Sequence, residues 1–230
     1  MVSKGFRRLP IVLEDMTLRG IVTATDIICY AHSKGKALKE SLSAPIADVY
    51  VREVVYVDKG ASIADAMTLM SERNIGGLPV VNEEKKVWAI VTERDILFSQ
   101  LHRLPSETVG AIMTKEVVVV RESDSLGDGC STICSKGFRR LPVLSDRELF
   151  GIVTTMDILR FLVDAYDGGI EEPFSTPLSH VCVRNVYTVR PTASIKEAAS
   201  VMKARNIGAL PVVEDSKLVG IITERDLFNL

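Results

Sequence analysis

The residues most able to do chemistry are four Thr-x-x-Asp elements: Thr23/Asp26, Thr92/Asp95, Thr154/Asp157 and Thr223/Asp226. Each follows an apolar run such as Gly20-Ile21-Val22 or Gly220-Ile221-Ile222. A Thr with an Asp three residues on is a capping-type box, which stabilises a helix start with no ligand present. The same carboxylate can accept hydrogen bonds from both hydroxyls of a ribose, while the Thr hydroxyl holds the sugar or its phosphate and the helix N-terminus favours anions. One residue can serve both purposes. Two arginine pairs, Arg7-Arg8 and Arg139-Arg140, stand directly before Leu-Pro, where two related stretches carry Gly76-Gly77 and Gly208-Ala209. A strand start therefore does not need arginine, and guanidinium groups bind phosphate with forked geometry. Arg94 and Arg225, each preceding its Asp, add charge at two of the helix starts, where an exposed surface arginine reads the same way.

Catalysis finds little support. His32, His102 and His180 fall in or near connectors and helix ends, and no Gly-x-Ser-x-Gly or phosphate-loop Gly-Lys-Ser/Thr occurs. No enzyme is expected. Cys130 and Cys134, one helical turn apart, could form a metal site with His180 and Cys182, but small buried thiols are the stronger reading and no metal is expected. The four cysteines are too few and scattered for the disulfide framework of a small secreted domain.

These residues are positioned by an internal repeat. Ser3-Lys4-Gly5-Phe6-Arg7-Arg8-Leu9-Pro10 recurs letter for letter from Ser135 to Pro142, an offset of 135 − 3 = 132. Arg73-Asn74-Ile75-Gly76 recurs as Arg205-Asn206-Ile207-Gly208 at the same offset. Both kinds of unit carry Leu-Pro, an apolar run, a polar turn, a second apolar run and Thr-x-x-Asp, so four repeats follow in the order A, B, A, B. A complete repeat reads strand, helix, strand, strand, helix. In repeat 4, residues 185–189 are β-rich and Ser194 with Glu197 opens a helix; Ser62 with Asp65 and Ser125 with Asp128 do the same in repeats 2 and 3. Gly127 and Gly129 weaken the third helix, which should be held mainly by packing. Connectors are expected over residues 33–45, 104–109 and 164–177. A repeat of about 60 residues is marginal alone, so pairs should share a core.

The 230 residues carry a net charge of -2 with 47% hydrophobic residues. No charge excess exists for wrapping nucleic acid, and no apolar run approaches the roughly 18 residues that span a bilayer. The start has no secretory-type hydrophobic stretch, so a cytoplasmic location is expected.

The fourfold pattern of Leu-Pro, apolar strand and Thr-x-x-Asp resembles the cystathionine β-synthase (CBS) domain family over essentially the whole chain. That resemblance implies an α/β (α+β) fold of four β-α-β-β-α repeats, over residues 1–44, 45–104, 105–172 and 173–230, paired into two Bateman modules. Its four-repeat members resemble the γ regulatory subunit of AMP-activated kinase. The counterpart of residues 109–132 is missing from repeat 1, and the last helix of repeat 4 is short.

The resemblance also implies adenosine-containing ligands between repeats. The best site would join Thr223, Arg225 and Asp226 to Arg139, Arg140 and the strand of residues 117–120, including Val118. Its equivalent would join Thr92, Arg94 and Asp95 to Arg7 and Arg8, with weaker binding because a walling strand is absent. The remaining sites, Thr154/Asp157 with Thr188 and Thr23/Asp26, have fewer phosphate partners. The expected function is a non-enzymatic sensor of AMP, ADP or ATP that signals to another protein; S-adenosylmethionine fits the arginines less well. The alternative is a ligand-free interaction scaffold, and a homodimer is allowed.

Overall fold

The computed structural model describes residues 1–35 and 38–230; Lys36 and Ala37, within the expected 33–45 connector, lie outside the described residues. Repeat 1 contributes β1 (Arg8–Val12), β2 (Leu18–Thr23) and α1 (Ala24–Ser33), and α2 (Leu38–Leu42) follows. Repeat 2 contributes β3 (Val57–Asp58), α3 (Ile63–Glu72), β4 (Gly77–Val81), β5 (Val87–Thr92) and α4 (Glu93–Ser99). After α5 (Val109–Ile112), repeat 3 contributes β6 (Val120–Arg121), α6 (Leu126–Lys136), β7 (Arg140–Ser145), β8 (Glu148–Thr154) and α7 (Thr155–Gly168). Repeat 4 contributes α8 (Ile195–Arg205), β9 (Ala209–Glu214), β10 (Lys217–Thr223) and α9 (Glu224–Phe228).

The mixed α+β fold of four repeats is the expected one. Helix starts are set by local chemistry: Ser62 and Ser125 each form a full capping box with Asp65 and Asp128, while Ser194 accepts from the Glu197 amide. Two strands are shorter than their sequences suggest. Residues 117–119 lie outside any strand, and only Val120–Arg121 joins a neighbour, parallel to Val143–Leu144. In repeat 4 the β-rich run reduces to one parallel bridge, Val189 to Val212. A β-prone side chain favours extended backbone, but a ladder also needs a partner strand, and only one or two residues find one. The connector expected from residue 164 begins later, because α7 runs to Gly168 and ends on Gly169 in the left-handed conformation (φ 71°).

The chain forms two compact units. Unit 1 comprises Met1–Ile11, Arg19–Val54 and Val118–Val186, which unites repeats 1 and 3. Its core gathers Ile28 and Leu38 with Leu126, Ile133, Leu141, Val143, Ile158 and Leu162. Unit 2 comprises Val12–Leu18, Val55–Val117 and Tyr187–Leu230, which unites repeats 2 and 4. Leu97 and Val109 pack there with Ile195, Met202, Leu210 and Ile222, and Phe228 packs with Val57, Met70, Leu78 and Ile96. Cores are shared in pairs, as a repeat this small requires, and alternate repeats share them.

The repeated Leu-Pro has a structural purpose. Pro142 lies opposite Ile152, and Pro211 opposite Ile221. Proline has no amide hydrogen, so the main-chain groups of the facing isoleucine turn to the other strand edge. There each pairs with a segment from before another repeat: Ile152 exchanges two main-chain bonds with Val183, and Ile221 with Thr114. Ile21 exchanges the same two bonds with Val51.

Candidate functional site

All four Thr-x-x-Asp elements form complete capping boxes at the starts of α1, α4, α7 and α9. In each, the Thr amide donates to Asp Oδ2 at 2.7–3.0 Å and the Thr hydroxyl donates to the same oxygen at 2.6–2.9 Å. The Asp amide returns a bond to Thr Oγ1 at 3.2–3.4 Å. The hydroxyl proton is thereby used inside the box. Each Thr can still accept a hydrogen bond but cannot donate one to a phosphate, which needs a donor. The carboxylates differ: Asp157 Oδ1 accepts from Arg160 at 3.4 Å, whereas among the described residues no bond reaches Oδ1 of Asp26, Asp95 or Asp226.

A second main-chain bond ties every box to its own repeat. The amide of the first helical residue donates to the carbonyl of the residue before the Leu-Pro strand: Ala24 to Arg7 (2.9 Å), Glu93 to Gly76 (3.3 Å), Thr155 to Arg139 (3.1 Å) and Glu224 to Gly208 (3.1 Å). Unit 1 therefore holds both arginine pairs next to helix starts, those of Thr23/Asp26 and Thr154/Asp157. Arg7, Arg8, Arg139 and Arg140 are half-buried and all four are engaged within the structure. Unit 2 holds small residues at that position, with the boxes Thr92/Asp95 and Thr223/Asp226. The two halves of the first-choice grouping, Thr223/Arg225/Asp226 and Arg139/Arg140, thus belong to different units. Val118 and Thr188 are exposed and lie outside any strand.

Arg94 and Arg225 are not simple surface arginines. Arg94 Nε donates to Glu224 Oε1 at 2.5 Å, and Arg225 Nε donates to Glu93 Oε1 at 2.8 Å. Arg94 Nη1 also donates to Asn206 Oδ1, and Arg225 Nη1 to Asn74 Oδ1. Both asparagines take a left-handed backbone (φ 53° and 54°) at the end of a helix, a conformation asparagine tolerates better than most side chains. The result is a reciprocal lattice in which repeats 2 and 4 exchange arginines, with Glu93 and Glu224 buried. One donor is left over: Arg94 Nη2 is buried with no partner among the described residues. The sequence held a signal for this lattice, since Thr-Glu-Arg-Asp and Arg-Asn-Ile-Gly each occur twice and only in the B repeats.

The cysteines require a correction. Cys29 on α1 and Cys134 on α6 form a disulfide, with Cα atoms 5.8 Å apart and 105 residues between them in sequence. Cys134 is therefore neither a free thiol nor a metal ligand. Only the local spacing of Cys130 and Cys134 was visible in sequence, whereas the bridge depends on α1 packing against α6. Cys130 is a buried thiol whose pKa burial pushes up to about 12, and burial also raises that of half-buried Cys182. Among the described residues no group of three His, Cys, Asp or Glu could hold a metal ion, and no helix is long and apolar enough to cross a membrane.

A fourfold repeat with one box per repeat defines the class. The CBS domain family model matches residues 1–33, 46–102, 109–164 and 178–230, and the chain belongs to that family. Among its relatives, protein MJ1225 of Methanocaldococcus jannaschii is 30% identical over 248 residues, covering 100% of this chain and 89% of that one. Its crystal structure, presented as that of a candidate archaeal homolog of g-AMPK, superposes with a TM-score of 0.90 at 28% identity, over 98% of this chain and 88% of that one. The 33.4 kDa protein in the ribosomal RNA operon of Thermofilum pendens is 33% identical over 97% of this chain and 80% of its own length. A Pyrococcus horikoshii protein shares the fold at 23% identity, with a TM-score of 0.67 over 97% of this chain and 90% of that one.

Proposed function

We propose that this chain is a regulatory module that binds an adenine nucleotide, AMP, ADP or ATP, through its Thr-x-x-Asp boxes and signals to a partner protein. The observation that carries this reading is the unused Oδ1 of Asp26, Asp95 and Asp226 beside a helix start. A carboxylate oxygen there can accept from a ribose hydroxyl while Oδ2 keeps the helix capped. Thr supplies only an acceptor, so the phosphate falls to arginine, whose forked donors suit it. The likeness to a candidate g-AMPK homolog supports a regulatory role. Of the boxes, Thr223/Asp226 is the strongest, and the arginines favour a phosphate-bearing ligand over S-adenosylmethionine. Membership of the CBS domain family supports a regulatory rather than a catalytic role.

A second reading has an observation of its own. Ser62/Asp65 and Ser125/Asp128 form the same box at helix starts to which no ligand role is assigned, so a box alone needs no ligand. On that reading the chain is an interaction scaffold. A thermal-shift panel of AMP, ADP, ATP, S-adenosylmethionine and GMP on nucleotide-free protein separates the two. The sensor reading expects adenine nucleotides to raise Tm and Asp226→Ala to weaken the effect. A flat response to every ligand overturns it and leaves the scaffold.

A further inference from the structure

The disulfide between α1 and α6 falls at a position that the other unit fills without one. Cys29 stands three residues after Asp26 on α1, and Cys134 stands nine residues after the Ser125 cap on α6. The same two places in repeats 2 and 4 belong to Phe98, three residues after Asp95, and Lys203, nine residues after Ser194. They also meet: Lys203 Nζ donates to the Phe98 carbonyl at 3.5 Å and lies 6.0 Å from its ring centroid. The same helix positions can therefore meet without a covalent link, and in unit 1 the link depends on redox state.

The bridge clips a helix that is weak by itself. α6 carries Gly127 and Gly129, each costing about 1 kcal/mol against alanine, where α8 has Lys196 and Ala198. Its first turn is fixed from outside, since the Leu126 amide donates to the Thr176 carbonyl at 2.8 Å. Midway, His32 Nε2 on α1 and Ser131 Oγ are 2.9 Å apart. Cys134 ties down the last turn, from which the chain passes through Gly137 in the left-handed conformation (φ 68°) into Phe138, Arg139 and Arg140. Both bridged cysteines are half-buried, so a small thiol can reach them. Cys130, one turn earlier, is 0% exposed with its thiol pushed up to about 12, so it stays protonated and does not attack the bridge.

We propose that Cys29–Cys134 is a thiol–disulfide exchange site, whose reduction by a dithiol in the folded protein frees the last turn of α6 and with it the Arg139-Arg140 stretch. A thiolate of the dithiol attacks one bridge sulfur and forms a mixed disulfide; its second thiol then displaces the protein sulfur. Two electrons and two protons pass to Cys29 and Cys134, which become thiols, and the reductant leaves as a cyclic disulfide. Oxidised dithiol reverses the step. The change stays within unit 1, because the Lys203 contact in unit 2 has nothing to reduce. It is independent of the nucleotide reading.

Hydrogen exchange read by mass spectrometry, on peptides covering residues 126–140 and 195–208, tests this in the full chain. Three samples are compared: the oxidised protein, the protein treated with dithiothreitol without denaturant, and Cys29→Ser/Cys134→Ser. The amides of 126–140 should exchange about tenfold faster or more in the reduced protein and in the double variant, while those of 195–208 keep their rate. Oxidised dithiothreitol should restore slow exchange in the reduced protein and leave the variant unchanged. A bridge that acts on the unfolded chain alone gives another pattern, with residues 126–140 unaltered by reduction or both helices loosened together. Either result overturns the proposal, as does a bridge that dithiothreitol opens only in denaturant.

Discussion

Arg94 and Arg225 carry two readings at once, a helix-start surface charge in the sequence and a half of a buried exchange in the fold. Glu93 and Glu224 are 4% and 6% exposed, so removing an arginine leaves a desolvated carboxylate without its main counter-charge. Breaking such a pair costs about 3–5 kcal/mol, far above the 0–1 kcal/mol of an exposed one. Arg225→Met should therefore lower unfolding stability by about 3 kcal/mol in urea denaturation, and a loss below about 1 kcal/mol would return the arginine to the surface class. The exposed caps behave differently. Hydrogen bonds from Ser62 hold the Asp65 carboxyl below its ordinary value of 3.8, and those from Ser125 do the same for Asp128. A depressed carboxyl contributes stability that is present above the ordinary value and lost as pH falls through the folded one. Asp65→Asn and Asp128→Asn should each flatten the acid limb of the stability curve below about pH 4 and leave its shape at pH 7 unchanged. Cys130, with its pKa near 12, should resist iodoacetamide at pH 8 in the native protein and react once unfolded.

At the scale of elements, what the sequence made legible is what local chemistry decides. Ser62, Ser125 and Ser194 mark the starts of α3, α6 and α8, and the four Thr residues mark the starts of α1, α4, α7 and α9, because a cap needs only residues within one turn. Elements that need a distant partner were less legible. Residues 117–120 and 185–189 are β-prone, yet pairing is confined to Val120–Arg121 and Val189 because the neighbouring strand meets them only there. The glycines of α6 gain their reason only in three dimensions: a Cβ on Gly129 would lie 3.2 Å from Leu178 Cδ2, so the helix gives up propensity to admit the segment that covers it. The bridge from α1 to α6 was illegible for the same cause. Closing a loop of about 100 residues removes roughly 4–5 kcal/mol of unfolded-state entropy in the chain-entropy view, and measured values cluster at 2–4 kcal/mol. Cys29→Ser/Cys134→Ser should lower unfolding stability by about 3 kcal/mol relative to the oxidised protein, and added dithiol reductant should reproduce the loss. Equal stability with and without reductant would contradict the bridge.

For the whole molecule, four repeats in A, B, A, B order could be read from letters alone, but the partners that share a core could not. Repeats 1 and 3 are joined by the Cys29–Cys134 bridge and an apolar contact of α1 with α6 and α7, while repeats 2 and 4 are joined by the arginine exchange. Side chains identical in kind within the A pair or the B pair make those choices, and only their placement shows which residue meets which. The candidate ligand residues were legible as a motif because caps and carboxylates are local; the spent Thr proton and the unused Oδ1 were not, because they depend on hydrogen-bond geometry. The central claim is that those carboxylates hold an adenine nucleotide, and titration calorimetry of AMP into nucleotide-free protein, its Asp226→Ala variant and its Asp95→Ala variant tests it most directly. The account predicts saturable binding in wild type, loss of the tightest site in Asp226→Ala and its retention in Asp95→Ala. Absence of heat and saturation in wild type, or loss of the tight site only in Asp95→Ala, would contradict it.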